Sequence, residues 1–260
     1  MTIIRPKKSL GQHFLKDLGI AQRIAETLSA YQGLPVLEVG PGTGALTRFL
    51  IAEKHDLSVV EIDKVSIAYL QKNFPTLEGR IYSENFLQMN LSDIYDTQFC
   101  VIGNYPYYIS SQIFFKTLEF REQIVCCSGM IQKEVAERLA AKPGSGKTFG
   151  ILSALIQPWY DVEYLFTVDE KVFDPPPKVK SAVVRLTRNG TKDLGCDEAL
   201  YKKVVKTAFN QRRKTLRNSL KSLFGKDFQN YHLPVFDKRP ERLSINQFIE
   251  LTMMVEKINF

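Results

Sequence analysis

Val36-Leu37-Glu38-Val39-Gly40-Pro41-Gly42-Thr43-Gly44-Ala45-Leu46-Thr47 decides how the rest of the chain is read. Four strand-like residues run into three glycines at alternate positions, and helical spacing then continues over 45–52. The pattern is strand, tight turn, helix. Glycine supplies positive φ without steric cost and lets a ligand approach the backbone, while the first helical turn presents unpaired N–H groups. A nucleotide-like ligand suits such a turn.

The next segments extend the same unit. Leu57-Ser58-Val59-Val60-Glu61-Ile62-Asp63 reads as a second strand ending in acids, followed by a helix over 65–73. Glu61 lies about 20 residues beyond the glycine turn, where a doubly wound sheet places the carboxylate that holds ribose hydroxyls. That spacing suits NAD and S-adenosylmethionine equally, whereas Asp63 fits a helix cap. After 80–83 and a turn at Glu84-Asn85-Phe86-Leu87, the apolar run Phe99-Cys100-Val101-Ile102-Gly103 has the character of a buried parallel strand. Asn104-Tyr105-Pro106-Tyr107-Tyr108 follows at its carboxyl end. Ligands of open α/β sheets bind at those ends, so Gly40, Glu61, Asn85 and Asn104 are expected along one crevice.

Composition narrows the class. The chain has 260 residues and a formal net charge of +7, enough for a large domain plus a smaller one and favouring a polyanionic partner. The four cysteines, Cys100, Cys126, Cys127 and Cys196, form no C-x-x-C pair and stand near no histidine cluster, so neither metal site nor disulfide framework is expected. The basic opening from Arg5 through Lys7, Lys8 and Ser9 to Leu15 lacks the apolar run of a signal peptide, and no segment has the length of a membrane span. A reduced, cytoplasmic protein is expected.

Helices are expected over 109–120, 132–141 and 150–157, with strands over 124–130, 162–168 and 182–186. Ala141, Gly146, Lys147 and Thr148 satisfy a relaxed phosphate-loop pattern, but a true phosphate loop follows a strand, and here a helix precedes it. Phe173-Asp174-Pro175-Pro176-Pro177 is fixed as an extended loop that presents Phe173, since three prolines cannot join a central sheet. Residues 189–193 read as a linker and the remainder as helical. Between Lys202 and Lys226 there are nine Lys or Arg and no Asp or Glu, a one-sign segment best read as a phosphate-facing surface.

Asn-x-Pro-Tyr at a strand end carries the chemistry. The amino nitrogen of adenine is a poor nucleophile because its lone pair is delocalised into the ring. The Asn104 side-chain oxygen and the Tyr105 carbonyl can hold its two hydrogens and favour a tetrahedral nitrogen. Pro106 fixes the turn, and Tyr107 can stack on a base drawn out of its helix.

With the glycine turn, Glu61 and the proline-rich loop, this motif closely resembles the ribosomal RNA adenine dimethyltransferases of the KsgA/RsmA type. The resemblance runs from Gly11-Gln12-His13-Phe14-Leu15 through Glu38-Val39-Gly40-Pro41-Gly42-Thr43-Gly44 to Phe173 through Ser181 and Gln211-Arg212-Arg213-Lys214-Thr215-Leu216-Arg217. It implies a Rossmann-like, S-adenosylmethionine-dependent α/β methyltransferase domain over 1–190 and a small all-helical carboxyl-terminal domain over 191–260. The implied reaction is dimethylation at N6 of two adjacent adenosines near the 3′ end of 16S ribosomal RNA, within an immature small subunit; a monomer is expected. By the same resemblance Gln12, His13 and Leu15 close over the methionine end of the cofactor. Gly40, Gly42 and Gly44 line it, Glu61 holds the ribose, and Asn85 sits beside the adenine amino group, where relatives usually carry Asp. Asn104 also borders the cofactor, and with Tyr105, Pro106, Tyr107 and Phe173 it forms the target pocket. Arg212, Arg213, Lys214, Arg217 and Lys221 face RNA. An NAD-dependent oxidoreductase fits less well, because the third glycine comes one residue too early for G-x-G-x-x-G. A methyltransferase of large-subunit RNA and a non-catalytic ribosome assembly factor are competing readings of the same motifs.

Overall fold

Alternation of apolar strand runs with amphipathic helices folds the chain around a seven-stranded sheet. A computed structural model describes residues 6, 7 and 10–259. Arg5, Lys8 and Ser9 of the basic opening lie outside the described residues. In chain order the elements are β1 (Phe14–Leu15), α1 (Leu18–Ala25), β2 (Pro35–Val39), α2 (Thr47–Ala52), β3 (Asp56–Val60), α3 (Lys64–Asn73), β4 (Ile81–Tyr82) and β5 (Phe99–Asn104). They continue with α4 (Ser110–Glu119), β6 (Ile124–Gln132), α5 (Lys133–Leu139), α6 (Ile151–Ile156), β7 (Tyr160–Val168), β8 (Phe173–Asp174) and β9 (Ser181–Arg188). The last helices are α7 (Glu198–Asn210), α8 (Leu216–Ser219), α9 (Lys221–Phe224) and α10 (Ile245–Asn259).

The strand order is β4-β3-β2-β5-β6-β9-β7, with β2 parallel to both β3 and β5, and β9 antiparallel to β6. The chain winds outward from β2 to β4, then crosses back to β5. The order therefore reverses between β2 and β5, and the carboxyl ends of these strands flank the crevice in which doubly wound sheets bind ligands. β5 is buried along Phe99, Cys100, Val101 and Ile102, as a central parallel strand covered on both faces must be. Gly103 pairs with Gly129 across β5 and β6. A Cβ at Gly129 would collide with the Gly103 carbonyl and the Tyr105 ring, so the two glycines make room for a fully buried tyrosine beside the crevice.

The chain divides into two units. One takes the residues up to Ala136 with Asp161–Arg188, and the other takes Glu137–Tyr160 with Asn189 onward. The expected boundary at 190 put 137–160 in the first unit. The structure groups that segment with the carboxyl-terminal helices, because α6 buries Leu152, Ala154, Leu155 and Ile156, and the Tyr201 hydroxyl on α7 donates to the Ala154 carbonyl at 2.8 Å. Within this unit α7 buries Tyr201, Val204, Val205 and Ala208 on one face and exposes Lys202, Lys203 and Lys206 on the other, the stripe that a 3.6-residue period produces. No helix among the described residues is long and apolar enough to cross a membrane.

Candidate active site

An open cleft lies at the carboxyl ends of β2, β3 and β5, where doubly wound sheets bind their ligands. Its walls contain Gln12, His13, Leu15, Gly40, Gly42, Glu61, Asn85, Asn104, Tyr105, Pro106 and Tyr107. Segments far apart in sequence thus meet at one site. Gly44 and Phe173 do not line it. Gly44 has φ +76°, and a Cβ there would overlap the Phe74 ring, so this glycine serves the seam between α2 and the end of α3. Phe173 is 1% exposed and sits in the core, its backbone paired with Leu15 in the two-stranded sheet of β1 and β8. An apolar ring gains more from that core than from a wet cleft, and it supports the amino-terminal arm rather than the pocket.

The glycine turn is held to the end of β3. Gly40 and Gly42 have φ of +70° and +55°. The Gly42 N–H donates to Glu61 Oε2 at 3.1 Å, and the N–H groups of Ile62 and Asp63 donate to Oε1 at 2.8 and 2.9 Å. These bonds occupy three of about four carboxylate acceptor positions and leave Oε2 open to a further donor. Burial raises the Glu61 pKa, with the backbone bonds opposing. A buried acceptor at the cleft wall, beside glycines that expose backbone and beside apolar Ile62 and Phe86, fits a nucleoside with ribose hydroxyls. Asp63 is a helix cap, accepting from Val65 N–H at 3.3 Å and from the Ser66 hydroxyl at 3.0 Å. It also pairs with Lys7, which ties the amino-terminal arm to the cleft edge. Asn85 caps a short turn through Oδ1, which accepts from Leu87 N–H at 3.1 Å.

At the end of β5, Asn104 Nδ2 donates to the His13 carbonyl at 3.2 Å. That bond assigns the amide orientation, because a carbonyl accepts only from the NH2 side, and so Oδ1 remains an acceptor. Tyr105 points its ring away from the cleft, and its hydroxyl donates to the Ser128 carbonyl at 2.7 Å. Its part at the cleft is left to its backbone. Tyr107 lies against His13 with ring centroids 5.6 Å apart and planes 26° from parallel, and its hydroxyl bonds Ser181 Oγ. His13 Nδ1 lies 2.7 Å from the Pro175 carbonyl and must carry the proton there.

Sequence reasoning passed over Glu38. It lines the cleft, is 1% exposed and accepts from Thr47 Oγ1 at 2.7 Å. Burial pushes its pKa up to about 8 against the Thr47 bond, with Glu61 adding to the rise. The signal was an acid inside an otherwise apolar strand run. In the other unit, Arg212, Arg213, Lys214, Arg217 and Lys221 are all exposed. Arg217 is partnered by Asp237 at 2.6 Å, a neighbour 20 positions away that the one-sign segment does not contain.

The model of the family described as ribosomal RNA adenine dimethylase matches residues 3–256. The chain is 68% identical over 257 residues to a ribosomal RNA small subunit methyltransferase A of Parabacteroides distasonis, covering 99% of this chain and 96% of the relative. It is 58% identical to the protein of that name from Porphyromonas gingivalis, over 99% and 100% of the two chains. Among solved structures, a dimethyladenosine transferase from Plasmodium falciparum superposes with a TM-score of 0.77 at 25% identity, over 95% of this chain and 99% of that one. The 23S rRNA methyltransferase ErmE superposes with a TM-score of 0.67 at 26% identity, over 92% and 99%.

Proposed function

The chain belongs to the ribosomal RNA adenine dimethylase family, and on that footing we propose that it transfers methyl groups from S-adenosylmethionine to N6 of two adjacent adenosines near the 3′ end of small-subunit ribosomal RNA. It acts on the immature small subunit in the cytoplasm. The observation that carries the reading is the fixed amide of Asn104 at the strand end that borders the same cleft as Glu61.

Glu61 and the glycine turn would hold the ribose and backbone side of the cofactor, Asn85 its adenine edge, and Gln12, His13 and Leu15 its far end. The bound cofactor supplies a methyl group on a sulfonium whose positive charge disappears on transfer. Asn104 Oδ1 and the Tyr105 carbonyl accept the two N6 hydrogens of the target base and draw its lone pair out of conjugation. Tyr107, braced by His13 and Ser181, stacks on the base. Placing nucleophile and methyl in line can supply much of the rate, so the scheme needs no dedicated base. Exposed Arg213, Lys214 and Lys221, with Arg212 and Arg217, contact phosphates of the RNA.

Similarity to ErmE at 26% identity favours a second reading, methylation of large-subunit RNA. The 68% identity to a small-subunit enzyme outweighs it. The test is incubation with labelled S-adenosylmethionine and unmethylated small subunits, followed by mapping of the labelled nucleotide. Dimethyladenosine at two adjacent positions near the 3′ end is the expected result. Label only in large-subunit RNA would replace the target, and tight subunit binding without label would make the protein an assembly factor.

A further inference from the structure

Tyr108 is 61% exposed, the most exposed of the large apolar side chains among the described residues. It follows Tyr107 in the turn Tyr107–Ile109 and lines the mouth of the cleft. Tyr107 is committed, its hydroxyl to Ser181 and one face to His13. The Tyr108 hydroxyl has no hydrogen-bond partner among the described residues. Its ring edge rests on Gly11, where a Cβ would stand 3.0 Å from Cδ1 and 3.3 Å from Cε1. Gly11, at φ +57°, therefore lets the arm pass close under the ring and holds it at the rim.

An exposed aromatic ring held in place at the mouth of the cleft offers a free face to a flat partner such as a nucleobase. Drawing one base into the cleft strips its neighbour of a stacking surface. Tyr107 and Tyr108 are consecutive in the chain and both line the cleft, Tyr108 at its exposed mouth, so a base stacked on Tyr107 leaves its neighbour on the side of Tyr108.

We propose that Tyr108 is the stacking platform for the base adjacent to the target adenosine, holding the second of the two adenosines at the rim while the first reacts. The inference rests on the dimethyltransferase reading above and assigns to Tyr108 a positioning role. Base stacking on an aromatic ring is sequence-tolerant, so the platform serves whichever adenosine is outside.

The test compares the parent protein with Tyr108→Ala and Tyr108→Phe on unmethylated small subunits, with cofactor affinity measured separately by calorimetry. Tyr108→Ala should raise the half-saturating subunit concentration roughly tenfold, more than it lowers the rate at saturation, as expected for loss of one stacking contact. Cofactor affinity should be unchanged, and RNA methylated at only one of the two adenosines should accumulate. Tyr108→Phe, which keeps the ring, should behave as the parent. An alanine variant with parental KM and product pattern, a phenylalanine variant as impaired as alanine, or weakened cofactor binding would each overturn the role. A parent protein that labels no adenosine pair would remove the dimethyltransferase reading itself, whereas an active parent matched by its alanine variant removes only the platform.

Discussion

Asn104 shows how much a single bond decides. Because Nδ2 is committed to the His13 carbonyl, Oδ1 is left as an acceptor at the cleft, and the proposed function has it take a hydrogen bond from the reacting amine. Asn104→Ala should lower the transfer rate by about a hundred- to a thousandfold, the usual loss for a preset polar contact to the reacting group, while the folded protein still binds cofactor. Single-turnover kinetics beside calorimetric cofactor binding check this, and parental turnover would remove Asn104 from the mechanism. Asn85 already spends one lone pair on Leu87 N–H. If Asn85 borders the cofactor's adenine as proposed, Asn85→Asp keeps that cap and adds a charge-assisted contact to the amino group, so affinity should tighten by about fivefold, read by calorimetry. Glu38 makes a pH prediction. Its pKa rises from an ordinary 4.5 to about 8 in the fold. Across that window the folded chain keeps a proton that the unfolded chain has released, so the contribution of Glu38 lowers stability as pH rises. Glu38→Gln should flatten the fall between about pH 4.5 and 8 in urea unfolding, Glu61 accounting for a remaining slope of the same sign.

The strands were legible because their signals are local. β2 with its glycine turn and β5 with its polar end show in sequence as apolar runs with abrupt chemistry at one terminus, and Gly40, Glu61, Asn85 and Asn104 do meet at one cleft. Phe173 was misread because a proline-flanked aromatic looks presented until its strand partner is known. That partner, Leu15, lies in another part of the chain. Gly44 belongs to the same class of error: its place in the motif suggests a ligand, but its missing Cβ makes way for Phe74. Gly129, which no motif marked, has a heavier structural duty. Gly129→Ala should cost about 1–3 kcal/mol in denaturant unfolding, the range for overpacking a core. Displacing Tyr105 next to Asn104 should lower transfer more than cofactor binding, and an alanine variant with parental stability would show that β5 and β6 can part without strain.

Across the whole molecule, charge is readable from sequence but pairing is not. Neutralising Arg212 and Arg213 should each reduce the slope of log affinity against log salt by about 0.7–0.9. Arg217→Ala should reduce it less, since Asp237 already shares that charge. Titration of subunit binding at several salt concentrations measures all three, and equal effects would mean that RNA displaces Asp237. Residues 137–160 escaped the expected boundary because composition changes at 189 while packing reaches back to α6. A chain ended at 188 would keep Phe149 without its neighbour Phe209, 6.4 Å away between ring centroids, and Ala154 without Tyr201. It should bind hydrophobic dyes and sediment as aggregate, and a version with 137–160 also replaced by a short linker should be better behaved. Pairing of β1 with β8 has a further meaning during synthesis. His13 leaves the ribosome early, yet its partner Pro175 lies 162 positions later. At about 5–20 residues per second the arm waits on the order of ten to thirty seconds for the segment that anchors it. The wall of the cleft that is made first is therefore completed late, once the segment carrying Pro175 has emerged.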